Sequence, residues 1–505
     1  MSAKPVQLKS APGIKRDGTT LEGDAHIDGQ WVRWQRGLPR KMWGYRSITG
    51  DMTEIVRGMS VDFKDGVQYI HGGSTGRCDQ VQVGSSGLLL AINDRTPAAF
   101  PSNANQLWQF ETIWDSVAGK QRIIGHAAPN LANIDNSTTG LVYYGDLDAT
   151  SALTDTGVAG VSGGVVAAHP YLFKFGSNGQ IDWSVPNKPN DFTNAGSGTA
   201  RVTKSKIICG KSLRGNGAGP SALFWSINAL VRATFTTGGT TWVFDELSTN
   251  ISIMSSRSVV EYDGVFFWPG VDRFLMFNGV VREVPNNMNV NWYFDNINRD
   301  HRQKAFTFKV PRWGEIWFCF PFGSATECTH AVIFNVRENT WYDTELPNKG
   351  RAGGLTPESD LHPIMSGIEA TDDDKYRLWQ HELGLDEVIG NYSSAIKSYF
   401  ELGEISMVVA PQGADSKSLR IDRIEPDFVQ SGQMSVRVVG RANSRAPEIV
   451  SSEYVFDDTS TPETVPTKDV RRLLRLKFES NVAGGDYQAG IIVGHIEPTD
   501  GRIES

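Results

Sequence analysis

Short apolar runs separated by glycine or asparagine turns recur along most of the chain. Examples are "DGVQYIHGG" (65–73), "HPYLFKFGSNGQIDWS" (169–184), "PSALFWSINALVRATF" (220–235) and "DGVFFWPGVDRFLMFNG" (263–279). "WGEIWFCFPFG" (313–323), "THAVIFNVRENTWYDTEL" (329–346) and "DKYRLWQHELG" (374–384) continue the series. Runs of about four to eight residues bounded by turn residues predict strands. Helical periodicity is scarce. The best helix falls within 286–306, where Val290, Tyr293, Phe294 and Ile297 share one face and asparagines stand ready as caps.

Two segments repeat more closely. "TTGGTTWVFDEL" ends at Leu247 and "VRENTWYDTEL" ends at Leu346, and their tryptophans, Trp242 and Trp341, lie 99 residues apart. Hairpins from Gly66 to Trp379 start roughly 45–55 residues apart, the spacing of four-stranded propeller blades, so the tryptophan pair spans two blades. A β-propeller is the economical reading, because a closed ring of blades protects sheet edges. After Leu383 the pattern changes to alternation of apolar with charged residues. In "VRRLLRLKFES" (470–480), Leu474, Leu476 and Phe478 face one way and Arg475, Lys477 and Glu479 the other. This predicts an antiparallel β-sandwich, with 457–469 as a long loop. A second loop is expected within 133–164. The expected organisation is an N-terminal arm with propeller-closing strands (1–50), a propeller (51–385) and a C-terminal sandwich or platform domain (386–505). The fold class is all-β with few short helices.

Composition fits this picture: 52 glycines, 14 tryptophans and 24 phenylalanines in 505 residues favour glycine turns and aromatic strands. A net charge of −8 argues against a protein that coats nucleic acid over its whole surface. The four cysteines, Cys78, Cys209, Cys319 and Cys328, form no CxxC pair and read as buried free thiols. The N-terminus carries no apolar signal core, and no apolar run approaches the ~20 residues of a membrane span.

Few motifs carry chemistry. "GGSTG" (72–76) and "GVSGG" (160–164) match G-x-S-x-G, but each serine lacks the strand-to-helix setting of a nucleophile elbow. "GNGAGP" (215–220) lacks phosphate-loop spacing and reads as a turn. The nine histidines show no metal-ligand spacing, and "TDDDK" (371–375) reads as a solvated turn. No paired carboxylates of the glycosidase type are nominated. No catalytic residue, metal or cofactor is therefore expected. Two basic stretches remain. In "DGQWVRWQRGLPRKMWGYR" (28–46), Trp31, Arg33 and Gln35 share one strand face, Val32 and Trp34 the other, and Gly37 and Pro39 turn the chain. Its tryptophans pack under a blade while its arginines reach solvent or acidic partners, or the stretch faces DNA. "RRLLRLK" (471–477) offers the same choice. Candidate channel or subunit contacts are Arg33, Arg36, Arg40, Lys41, Arg471, Arg472 and Arg475.

Four segments resemble the tail hub, or nozzle, proteins of short-tailed bacteriophages, including those called packaged-DNA-stabilisation proteins. They are "IDGQWVRWQRGLPRKMWGYR" (27–46), the blade-and-helix segment "VVEYDGVFFWPGVDRFLMFNGVVREVPNNMNVNWYFDNINRDHRQKAF" (259–306), "GEIWFCFPFGSATECTHAVIFNVRENTWYDTEL" (314–346), and the pair "KSLRIDRIEPDFVQSGQMSVRVVG" (417–440) with "DVRRLLRLKFES" (469–480). Region 85–165 carries none of it. The resemblance implies a propeller with a C-terminal β-domain that assembles as a hexameric ring below the portal and adaptor. It implies a virion tail protein made in the host cytoplasm, partnered by portal, adaptor and other tail proteins such as fibres or a needle. Transient, non-specific contact with genomic DNA and no catalysis are expected. The competing classes are a propeller hydrolase of glycans and a host receptor-binding tail module.

Overall fold

The computed structural model describes residues 3–22, 24–103, 106–129, 140–157, 162–213, 219–238, 241–354, 362–406, 418–457 and 464–499. Within them seven sheets follow one another along the chain, at 58–94, 106–155, 164–201, 207–248, 260–283, 306–345 and 352–394. The first six are four-stranded antiparallel meanders. These are the blades of a β-propeller, numbered here 1 to 7. The first strands of six blades, and in blade 5 the residues just before its first strand, border one central cavity, and the first strands of blades 7 and 1 touch to close the ring. Close approach explains Gly58 at the start of blade 1, where a Cβ would stand 2.2 Å from the Trp108 carbonyl oxygen of blade 2.

Blade 7 is completed from the other end of the chain. Tyr45–Ser47 adds to Asp372–His381 in antiparallel register, Trp379 opposite Ser47 and His381 opposite Tyr45. Glu387–Ile389 then lies parallel to Tyr45–Ser47.

The two repeated tryptophans occupy equivalent places. Trp242 and Trp341 lie in the fourth strands of blades 4 and 6. Each fills the gap to the preceding blade: Trp242 meets Phe173 at 4.7 Å, and Trp341 meets Phe274 at 4.8 Å. The expected helix is shorter than 286–306. It comprises α1 (Val290–Asn296) and a 3-10 turn at Arg299–Lys304, and it buries Tyr293, Phe294 and Ile297 between blades 5 and 6.

After blade 7 two sheets face each other. One orders Val465–Arg471, Ser418–Ser431 and Asp486–Thr499, then the arm strands Leu38–Lys41 and Val32–Gln35. The other orders the arm strand Asp28–Gln30, then Ser398–Glu401, Leu473–Ser480, Met434–Arg441 and Ile449–Val450. Phe428 of the first packs on Phe478 of the second at 5.3 Å. The arm thus gives strands to both sheets and to blade 7.

Three expectations change. Of the loop over 457–469, residues 458–463 lie outside the described residues, and Val465–Arg471 is a strand of the first sheet. The loop within 133–164 contains Leu141–Asp146 and Thr154–Asp155, strands of blade 2; 133–139 and 158–161 lie outside the described residues. The simple alternation read for 31–35 also fails. Trp31, Val32, Arg33 and Trp34 are all buried, because the arm lies between blade 6 and the sandwich. Trp31 meets Trp317 at 6.0 Å, and Trp34 meets Tyr342 at 5.3 Å. Trp31 has φ +50°, which resets the strand at its start.

Candidate functional site

The seven basic candidates part company. Arg33 is 1% exposed, its Nε lies 2.8 Å from Glu315, and its Nη atoms lie 2.5 and 2.7 Å from Glu382. Its guanidinium also stands 4.7 Å over Trp313. Burial would lower its pKa, but Glu315 and Glu382 outweigh burial and raise it. Burial pushes the Glu315 carboxyl up, a push that Arg33 opposes and Glu382 reinforces. Tyr342 and Trp317 donate to Glu315, and Trp313 donates to Glu382, so both carboxylates of this buried polar cluster accept hydrogen bonds besides facing Arg33.

Lys41 is also buried, donating from Nζ to the Gly485 carbonyl at 2.6 Å. Arg475 is 4% exposed and pairs with Glu401, with Glu404 at 3.2 Å and with Glu448 at 2.8 Å. Arg33, Lys41 and Arg475 are therefore internal struts, and the expectation that they touch a channel or another subunit is corrected: a side chain enclosed by its own chain has no surface to offer. Arg40 is partly buried, bonds Gln35 at 3.0 Å and lies 5.0 Å over Trp313. Arg471 pairs with Asp469 at 2.8 Å. Arg36 is exposed and Arg472 is partly exposed.

A cavity of about 500 Å³ opens between residues 15–28 of the arm and the second sheet of the sandwich. Arg16 bridges Asp28 at 2.7 Å and buried Asp343 at 2.8 Å, and Lys477 stands 3.8 Å over the Tyr399 ring. Burial pushes the Asp343 and Glu401 carboxyls up; Arg16 opposes the first shift and Arg475 the second. The cleft's lining holds Lys15, Arg16, Arg437, Arg475 and Lys477 against Glu22, Asp28, Glu401 and Glu448. Its charges nearly cancel through internal ion pairs. It is a polar seam that docks the arm on the sandwich.

The propeller axis holds a second cavity of about 130 Å³, bordered by Trp108, Val165, Cys209, Phe306 and Ala352 among others. It cannot pass a nucleic-acid duplex, whose major groove alone is about 12 Å wide. At the starts of the first strands of blades 1, 5, 6 and 7 stand Arg57, Arg257, Lys304 and Arg351. Sequence reading did not nominate these four. Their signal is positional, a cation one to three residues before a blade's first strand, and it becomes visible only once blade boundaries are known.

The remaining motifs find structural partners. Ser74 donates to Glu54 at 2.9 Å, and Ser162 and Ser177 share a hydrogen bond of 2.8 Å. Asp372 and Asp373 pair with Lys375 and Lys349. "GNGAGP" lies mostly outside the described residues. All four cysteines are buried and free. Among the described residues no group of three or more histidine, cysteine, aspartate or glutamate side chains could hold a metal ion. No helix among them is long and apolar enough to cross a membrane.

The fold is a seven-bladed β-propeller with a β-sandwich built on its arm and C-terminal segments. No family model and no curated protein matches the sequence. Similar solved structures include the β-propeller domain of Cps50 (Swd1) from Myceliophteria thermophila, at 9% identity and a TM-score of 0.40, covering 66% of this chain and 99% of that one. The WD40 domain of coronin from Toxoplasma gondii matches at 9% identity and TM-score 0.36, over 70% of this chain and 88% of that one. Sqt1 from Saccharomyces cerevisiae matches at 8% identity and TM-score 0.39, over 72% and 96%.

Proposed function

We propose that the chain is a structural subunit of a ring-shaped tail hub, or nozzle, of a short-tailed bacteriophage. In this reading it extends the portal–adaptor channel in the virion tail, retains packaged DNA and conducts it during ejection. The observation that carries the reading is where the four family-resembling segments fall. They are the arm, blade 5 with α1, blade 6, and the sandwich. Two adjoining cores hold them, one joining arm, blade 6 and sandwich, the other joining blades 5 and 6 through α1. Of the described residues in region 85–165, which carries no resemblance, most lie in blade 2.

A propeller axis of about 130 Å³ leaves DNA no path through one subunit, so a conduit of this protein lies between copies. The last strand of blade 1, Leu89–Asp94, offers a surface for such contacts. It is a sheet edge, and Leu88, Leu89, Leu90 and Ile92 are 64, 39, 58 and 43% exposed on it. Ring contacts would be heterologous and closed by rotation. An overall charge of −8 suits a wall along which DNA slides.

Light scattering and negative-stain electron microscopy, on the protein alone and with portal and adaptor, test the reading. A six-fold ring with a bore wide enough for duplex DNA is expected, and Leu88→Lys with Leu90→Lys should weaken it without lowering the melting temperature. Protein that stays monomeric at every concentration, with portal and adaptor present, overturns it.

A further inference from the structure

Three turns that carry arginines meet where the arm crosses blade 6. Arg36 stands on the turn joining Val32–Gln35 to Leu38–Lys41 of the arm. Arg312 stands on the turn joining Phe306–Val310 to Glu315–Phe320, and Arg337 on the turn joining His330–Asn335 to Thr340–Glu345. Hydrogen bonds tie the three together. The Arg36 amide donates to Glu338 at 3.2 Å, and Arg337 donates to the carbonyls of Pro311 and Arg312, each at 2.8 Å. Arg36, Arg312 and Arg337 are exposed, and Arg40 is partly buried beside them. Arg312 and Arg337 belong to no basic stretch of the sequence; the fold brings them to the arm.

Two tryptophans hold the guanidinium groups close. Arg312 lies 4.0 Å over Trp43, and Arg40 and Arg312 lie 5.0 and 5.1 Å over Trp313. Burial lowers the Arg40 pKa; Asp486 opposes this, and Arg33, Arg312 and Arg36 reinforce it. Of these cations, Arg33 is taken up by Glu315 and Glu382. Arg36, Arg40, Arg312 and Arg337 form no ion pair among the described residues. Two carboxylates stand near them. Glu338 accepts from the Arg36 amide, and Asp486 is shared by Arg40 and Lys41. The Nε of Arg40 is enclosed and bonds to nothing among the described residues.

Unpaired guanidinium groups set side by side suit an anionic partner. Spread over the tips of three turns, they fit a chain of charges better than one small ion. The same turns carry no exposed large apolar side chain, whereas the centre of a protein–protein interface is apolar. Guanidinium forks match phosphate oxygens, and phosphates recur about every 3.4 Å of axis along each strand of a duplex.

We propose that these three turns seat the phosphate backbone of a nucleic acid without reading its sequence. The contact rests on the tail-hub reading for which nucleic acid it meets, the duplex genome, but it belongs to a single chain. Glu338 and Asp486 keep it weak, as sliding requires.

The test uses the full chain and a fluorescently labelled duplex of mixed sequence. Anisotropy should show binding with a Kd of about 1–100 µM near physiological salt, weakening as salt rises. Arg36→Gln with Arg312→Gln should bind about tenfold more weakly and flatten the slope of log K against log salt by about 2. This double variant should melt as the unaltered chain does, because both arginines are exposed. Glu338→Gln should bind about threefold more tightly, a gain that misfolding cannot produce. If the double variant does not fold, Glu338→Gln decides alone, and unchanged affinity overturns the proposal. Polyglutamate bound as tightly as the duplex would assign the surface to an acidic protein and overturn it. So would a folded double variant that binds duplex like the unaltered chain, or a chain that binds no duplex at low salt. A chain that binds duplex through these arginines yet forms no ring with portal and adaptor supports the contact and overturns the tail-hub reading.

Discussion

Replacing Arg33 with alanine tests whether the opening arm is a strut or a surface. The change removes the cation between Glu315, which is 0% exposed, and Glu382, which is 3% exposed. Both carboxylates stay inside, still accepting from Tyr342, Trp317 and Trp313, but without a counter-charge. Breaking one buried pair in this way costs about 3–5 kcal/mol. At about 2.1 cal/mol/K per residue, a cooperative unit of 505 residues has an unfolding entropy of about 1.1 kcal/mol/K, so the melting temperature should fall by about 3–5 °C. Burial pushes the Glu315 carboxyl up, and without Arg33 to oppose that push it can escape by taking a proton, so the deficit should narrow as pH falls toward the carboxylate range. Neutralising the whole group, Arg33→Met with Glu315→Gln and Glu382→Gln, should recover most of the loss because no buried charge is left. Thermal unfolding followed by tryptophan fluorescence and by calorimetry reads all three effects. A single variant that melts within 1 °C of the unaltered protein refutes the reasoning; so does a triple variant as unstable as the single one.

Other expectations follow from the same core. Burial lowers His26 and His381 from 6.5 to about 4, against the opposing pull of the Ala11 carbonyl and of Glu382 respectively. The unfolded chain therefore binds more protons between those values, so their stabilisation is complete above about pH 6.5 and is lost as pH falls toward 4. Melting temperatures measured from pH 7.5 to 4.5 should decline, and His381→Gln should flatten the slope; an identical slope in the variant would contradict this. Burial pushes Cys209 to about 11 and Cys328 to about 12, so a thiol reagent at pH 8 should label neither in the native protein, and rapid labelling seen by mass spectrometry would count against their burial. Deleting residues 1–47 removes the strand that completes blade 7 and the arm strands of both sandwich sheets. It should yield a protein that aggregates or melts over a broad range, and a sharp calorimetric peak at the original temperature would show that the arm is dispensable.

The repeating part of the fold was legible and the mixed part was not. The spacing of apolar hairpins marks blades because every blade solves the same problem, a twisted sheet packed between two neighbours. Trp242 and Trp341 recur because each fills the same gap. Alternation at Leu474, Leu476 and Phe478 marks a one-sided sheet, and these three are buried. The same alternation misplaces Arg475, because a second layer of acids covers the outer face there. Arg33 misleads for the same reason, since its two partners lie 282 and 349 residues away and no local pattern announces them. The cations at the blade starts were hidden by the same distance: Arg57, Arg257, Lys304 and Arg351 meet only because the ring closes.

The arm explains why basic, aromatic sequence and an acidic protein coexist. Three tryptophans and four arginines in so short a stretch look like a nucleic-acid groove only if one face is open. Here both faces are covered: Trp31 and Trp34 lie against Trp317 and Tyr342 of blade 6, and His26, which packs on Trp34, meets Phe400 of the sandwich. Sandwich and propeller therefore share one core through the arm, and neither can be displaced without exposing tryptophan. Such a joint couples the two parts, where a flexible linker would let them move independently. Of the seven basic candidates, Arg36 on its turn is exposed and Arg472 beside Arg471 is partly exposed, so the proposed ring would draw its contacts from these two before the buried ones.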